Sequence, residues 1–266
     1  MGSATREALI AARTALSGLP SREVTLRAAE ELFVASRIIG DSTQLRALLS
    51  DPSGDAGQKK AAVDAVFGSV VGEASRALLL EIVSTRWSKD QDLVAGIEDL
   101  GYRAAAESAS SGVSVDSELF EFAAVVSSDN ELELAVGSKL DAAGNKVALI
   151  ERLLAKKASP QTIAIVRHIV QAPRGRRFGV ALQQAASVVA DQAGLSIATV
   201  TSAVPIAAAQ VARLEKGLAA AYGRKLRINQ IVDPDIIGGL RVQVGDETID
   251  GSVASKLGEL RLQLAR

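Results

Sequence analysis

Few side chains in this sequence could do chemistry. There is one histidine, His168, and no cysteine. No thiolate nucleophile, disulfide or Cys-ligated zinc can therefore form, and a Ser-His-Asp triad would have to use that one imidazole. His168 sits inside the apolar run Thr162 to Val170. That run reads as a helix, so a structural or exposed role fits the imidazole better than ligand or base duty. Asp233, Asp235, Asp246 and Asp250 carry oxygens that a hard cation would accept, but each stands at a turn or a cap, where aspartate has a local job. Arg174-Gly175-Arg176-Arg177 reads as a solvated cluster at a helix end, which the helix dipole favours over a phosphate site. Gly217 to Arg224 lacks the spacing and the Lys-Ser of a phosphate-binding loop, and no Gly-x-Gly-x-x-Gly follows a strand. No catalytic, cofactor-binding or metal-binding residue is assigned.

The elements around these residues follow from composition. Apolar residues make up 48% of 266, charged residues 23%, aromatics only 3%, and the net charge is −1. Such a chain is globular, with cores of Ala, Leu, Val and Ile that favour closely packed helices. The charge balance gives no reason to expect nucleic acid or an anionic membrane as partner. The N-terminus carries Arg6, Glu7 and Arg13 and has no long apolar run of a signal peptide. Leu195 to Ala212 is uncharged and long enough to span a bilayer, but Ser196, Thr199, Thr201, Ser202, Pro205 and Gln210 interrupt it.

The sequence repeats itself. Glu31-Leu32-Phe33 recurs as Glu118-Leu119-Phe120, an offset of 87. The same register pairs Leu45 with Leu132, Lys59 with Lys146, Val63 with Ile150, Phe67 with Leu154, Ser75 with Thr162, Leu79 with Val166 and Ile82 with Ile169. A gapless run of apolar matches points to duplication of a folded unit. Each unit reads as helical. Val147, Ile150 and Leu154 make a stripe, with Leu153 beside them. Ser159-Pro160 reads as an N-cap with Pro at the first helical position, and Pro173 ends the helix that follows. The spacing predicts four to six short helices per copy, packed as a bundle. Their apolar stripes serve a core, and a groove for a partner helix is the sharper alternative.

The pattern changes near Leu195. Ile197 to Val204 alternates as a strand with Ala198, Val200 and Val204 on one face. Ala207 to Tyr222 is a helix with Val211, Leu214 and Leu218 inward, stopped by Gly223. Lys225 to Val232 is a second strand with Leu226 and Ile228 inward. Asp233-Pro234-Asp235 makes a turn, and Leu240 to Val244 alternates into a hairpin at Gly245-Asp246 with Thr248-Ile249 returning. Gly238-Gly239 marks backbone that needs positive φ or close approach. Ser252 caps a last helix bearing Leu257, Leu260 and Leu264.

These last residues carry a resemblance. Leu226, Ile228, Val232-Asp233, Ile236, Gly238-Gly239-Leu240, Val242, Gly245 and Ile249-Asp250-Gly251-Ser252 resemble the C-terminal signature of the delta subunit of F-type ATP synthases. That subunit is the bacterial counterpart of the oligomycin sensitivity-conferring protein. Upstream, Gln44 to Pro52, Lys59-Lys60 and Ile82 to Arg86 are similar to segments of the family's helical bundle. Ordinary members have one bundle. A chain with two is similar to a longer actinobacterial form, as Arg86-Trp87-Ser88 and Ala172 to Arg176 also are. Nothing resembles the membrane anchor to which some relatives are fused, so an unfused chain is expected.

The resemblance implies a fold and a job. The fold is mainly α: a helical bundle at 1–108, its copy at 109–194, and an α/β module with a β-hairpin and a C-terminal helix at 195–266. The job is that of a non-catalytic stator in the peripheral stalk, at the cytoplasmic face of the cell membrane, without insertion and without a cofactor. The bundle would grip the N-terminal helices of the alpha subunits, and the C-terminal module would hold the b subunit. One copy per complex is implied, and rotation driven by protons would then be coupled to ATP synthesis. Which bundle copy grips the head stays open. The alternatives are a helical adaptor outside any ATP synthase and a hydrolase that uses His168.

Overall fold

In the computed structural model, residues 2–138, 142–223, 225–233, 236–244 and 247–251 are described. The first six helices are α1 (Ser3–Ser17), α2 (Leu26–Asp41), α3 (Thr43–Ser50), α4 (Ala56–Phe67), α5 (Glu73–Ser84) and α6 (Asp90–Glu107). Five more follow: α7 (Val115–Ser128), α8 (Asn130–Gly137), α9 (Ala143–Leu154), α10 (Pro160–Gln171) and α11 (Phe178–Gln192). Adding 87 to the ends of α3, α4 and α5 gives the ends of α8, α9 and α10 to the residue. The same shift carries α2 onto α7 and α6 onto α11, within two residues at each end. It also carries α1 onto the start of α6. In this register α6 is both the sixth helix of the first copy and the first helix of the second.

Local chemistry repeats with the helices. Ser42 caps α3 by accepting from Leu45 N, and Asp129 caps α8 by accepting from Leu132 N. Ser159 caps α10 at Thr162 N, with Pro160 behind it as the sequence predicts. A carboxylate from the second helix holds the start of the fifth in both copies. Glu31 accepts from Gly72 N and Ser75 Oγ, both at 2.8 Å. Glu118 accepts from Ser159 N at 2.8 Å, from Ser159 Oγ at 2.7 Å and from Thr162 Oγ1 at 2.5 Å. These bonds satisfy N-terminal amides that would otherwise be orphaned.

One continuous apolar core runs from α1 to α11. The shared helix pays for its double duty in composition: it is buried almost all round from Leu93 to Ala105. The expected boundary at 108/109 falls in the turn after α6, and that at 194/195 follows α11.

A separate small core belongs to the C-terminal module. Its strands are β1 (Ser196–Ser202), β2 (Leu226–Val232), β3 (Leu240–Val244) and β4 (Glu247–Asp250), in the order β2-β1-β3-β4. β1 runs parallel to β2 and antiparallel to β3, and β4 pairs antiparallel with β3. Helix α12 (Ala208–Tyr222) crosses between β1 and β2, turning Leu214 and Leu218 onto the sheet, and ends on Gly223 with φ 65°. The first strand is shorter than expected. It stops at Ser202, whose Oγ donates to the carbonyl of Val204, and Val204 is 67% exposed instead of inward. The two glycines do take positive φ, 150° at Gly238 and 85° at Gly239. The expected hairpin turn at Gly245-Asp246 and the helix beginning at Ser252 lie outside the described residues.

Candidate functional site: one face of the helical stack, met twice

The face formed by the first and fifth helices occurs twice. In the first copy it lies on α1 and α5. It carries Ile10 at 64% exposure, with Glu7, Thr14, Ala77 and Glu81 also exposed. Beside it a cleft of about 1210 Å³ is walled by Ala4, Ala8 and Ala11 of α1, by Ser50 to Pro52, and by Thr85 to Asp90. Trp87 forms part of this wall. Its Nε1 donates to the carbonyl of Ile82 at 2.8 Å, and its ring lies where a side chain on Gly96 would have to go.

In the second copy the same face lies on α6 and α10 and is covered. Ile97, the counterpart of Ile10, is 0% exposed. Helix α2 lies across it. Phe33 stacks on His168 with ring centroids 4.4 Å apart and tilts against Tyr102 at 5.5 Å. Gly101 makes this possible: a Cβ there would meet the Phe33 ring at 2.5 Å. Further along, Gly40 comes up to Val94, and Glu30 pairs with Arg167. The cavity left between α2 and α10 is about 50 Å³, room for a water or two and not for a substrate.

Under α2 sits a buried polar knot. Glu98 is 2% exposed and meets His168 Nε2 at 3.1 Å, Arg174 Nη1 at 2.6 Å and Arg176 Nη2 at 3.1 Å. A carboxylate only accepts, so His168 donates through Nε2–H. Its Nδ1 lies 3.3 Å from Arg37 Nη1, a group that only donates. Both contacts require the neutral imidazole with its proton on Nε2. Burial also pushes the His168 pKa down, against the pull of Glu98 upward. Burial would raise Glu98, but the His168 bond and the two guanidinium charges outweigh it and hold the carboxyl below its ordinary range. The knot is thus a neutral histidine and an ionised glutamate, both buried, and it fastens α6, α10 and the segment 174–176 to one another.

A second knot ties the shared helix to both ends of the stack. Asp99 of α6 accepts from Arg13 of α1 at 3.0 Å and from Arg103 at 2.7 Å, and Arg103 reaches Asp191 of α11 at 2.6 Å. The sheet module is joined to the stack by Arg227, 3.3 Å from Asp116 and 3.4 Å from Ser114 Oγ.

Of the residues that the sequence singles out, His168 is structural and buried, 1% exposed. Arg174 and Arg176 are not a solvated cluster: they turn inward onto Glu98, because a carboxylate distant in sequence lies beneath them. The carbonyl of Asp233 accepts from Ile236 N at 3.2 Å, as a turn residue does. Asp250 is not at a turn or a cap: it ends β4, and its carboxylate pairs across the ladder with Arg241 of β3 at 3.3 Å. Asp235 and Asp246 lie outside the described residues. Among the described residues no group of three or more acidic or histidine side chains could hold a metal. Glu98, Asp99 and Arg103 are not picked out by sequence reasoning. The i,i+4 spacing of Asp99 and Arg103 is the one signal that could have found them.

Residues 102–264 match the family described as ATP synthase delta (OSCP) subunit. The delta subunit of Leifsonia xyli is 51% identical over the full length of both chains. The chain belongs to the ATP synthase delta (OSCP) family. Delta subunits of Streptomyces griseus and Acidothermus cellulolyticus are each 38% identical, again over the full length of both chains. A chain of the Toxoplasma gondii mitochondrial ATP synthase hexamer is a remote likeness, with TM-score 0.40 and 16% identity over 62% of this chain and 96% of that one. As a delta/OSCP subunit, this chain is a non-catalytic structural component of the peripheral stalk of ATP synthase. Among the described residues no helix is long and apolar enough to cross a membrane, and Leu195 to Ala212 folds as β1, a loop and the start of α12.

Proposed function

We propose that this delta/OSCP subunit is a two-ended joint. Its helical stack holds the N-terminal helix of an alpha subunit of the catalytic head, and its C-terminal module holds the b subunit. One copy would serve each complex, at the cytoplasmic face of the membrane and without insertion into it. The joint would keep the head from turning with the rotor, so that proton flow is coupled to ATP synthesis.

The observation that carries this reading is the division of the molecule into two cores. One runs through eleven helices and leaves the face of α1 and α5 open, with Ile10 and Ala77 exposed among Glu7, Thr14 and Glu81. The other is a small sheet module fastened to the stack through Arg227. A stator must bind at both ends, and tightly: nanomolar affinity corresponds to roughly −12 kcal/mol. Helix-in-groove binding supplies such energy from a few buried apolar anchors and needs no reactive group.

The test is a pull-down of the soluble part of the b subunit by the full chain and by a chain ending at Gly251. Binding by the full chain and its loss on truncation support the assignment of the b-subunit end. Equal binding by both would mean that residues 252–266 take no part in holding the b subunit, and would contradict a b-subunit site built on them.

A further inference from the structure

We infer that the face formed by the first and fifth helices is plugged in the second copy by the chain's own α2, so that the duplicated stack accepts one partner helix there and not two. This rests on the reading above that the stack binds an alpha-subunit helix, and it names the copy that does so.

The reason is geometric. Because α6 belongs to both copies, it carries two duties. As the sixth helix of the first copy it must pack on α2, as α11 packs on α7. As the first helix of the second copy it would offer the open face. Both duties fall on one stretch of surface, and α2 takes it. Gly40 covers Val94, Phe33 covers Gly101, and Glu30 reaches Arg167. In the first copy the counterparts are Glu7, Thr14 and Leu80, and among the described residues no helix plays the part of α2 on α1.

The plug also describes the missing occupant. In the second copy the face accepts a 16-residue amphipathic helix with its own N-cap at Thr25. In the first copy Leu80 replaces Arg167, so the occupant needs an apolar side chain where α2 has Glu30. Glu81 replaces His168, so a cation fits where α2 has Arg37. Thr14 replaces Gly101, so the large ring of Phe33 has no seat and a small side chain is required. The partner is therefore an amphipathic helix with a basic flank facing Glu81 and Glu7.

Two measurements on the full chain test this. In the first, a synthetic peptide of the N-terminal helix of the same organism's alpha subunit is titrated calorimetrically. One equivalent is expected, with affinity reduced about tenfold or more by Ile10→Asp at the exposed face. Two equivalents overturn the inference. No binding at all refutes the alpha-helix reading itself, and the plug is then judged by the second measurement alone. Here diethyl pyrocarbonate is applied to the single histidine. A plugged face protects His168 by about 100-fold or more relative to the chain unfolded in urea, since modification must wait for local opening. Gly101→Leu, which drives the Phe33 ring from its seat, should remove most of that protection. If circular dichroism finds that variant unfolded, Phe33→Ala takes its place. Modification of the native chain at close to the unfolded rate overturns the plug.

Discussion

Helices α1 and α6 occupy the same place in their two copies and have opposite surroundings. On α1, Ile10 projects from the molecule; on α6, its counterpart Ile97 is sealed. Around Ile10 the small residues Ala4, Ala8 and Ala11 leave a cleft, whereas Ala11 has become Glu98, the centre of a buried ionic knot. Duplication with a shared helix therefore does not give two equal domains. It gives one copy with an open face and one whose face is used to fasten the stack. The lesson is that one surface kept in register can be left open in one copy and used for cohesion in the other.

This contrast can be broken at several points. The largest effect is expected at Glu98. Glu98→Ala leaves Arg174 and Arg176 without their buried partner and should cost about 3–5 kcal/mol in denaturant unfolding. A much smaller loss would mean that the knot is solvated. Next, Ile97→Ala should cost about 2–5 kcal/mol as a core truncation. Ile10→Ala at the matching exposed position should stay within about 0.5 kcal/mol. Equal effects would erase the distinction between the copies. Then comes overpacking: Gly101→Leu should destabilise by about 1–3 kcal/mol, while Thr14→Leu, its counterpart in the open copy, should be near neutral.

The smallest effect is the pH dependence. His168 has a depressed pKa in the folded chain, so the unfolded chain takes up the proton first as pH falls through the ordinary value of 6.5. Stability should be full above that value and decline below it. The Glu98 carboxyl, also depressed, adds a further loss below its ordinary value of 4.5. Denaturant midpoints measured from pH 7.5 to 5 should fall, and His168→Gln should flatten the curve. A midpoint that rises on acidification would mean that the imidazole is charged in the fold.

How much was legible in sequence follows from the same contrast. The repeat could be read because α3, α4 and α5 keep their length and spacing in the copy, with no insertion to break the register. The Ser159-Pro160 start and the Gly223 stop were local signals and could be read directly. The sharing of α6 could not. Its two interfaces cover it almost all round, which removes the stripe that would have aligned it with α1: Ala12 faces Asp99 in the register, and Leu16 faces Arg103. The inward turn of Arg174 and Arg176 was equally hidden, because Glu98 lies far away along the chain and nothing local announces it. The strand ending at Ser202 instead of Val204 reflects a side-chain bond that competes with the ladder.

The most direct test of the account compares two imidazoles at equivalent places. One is His168 in the native chain; the other is introduced by Glu81→His in a His168→Gln background. Their rates of carbethoxylation are measured on the folded proteins. The account predicts a fast, solvent-like rate at position 81, slowed when the alpha-subunit helix peptide is added, and a rate at His168 lower by about two orders of magnitude that the peptide leaves unchanged. Comparable rates at the two positions, or protection of His168 by the peptide, would contradict it.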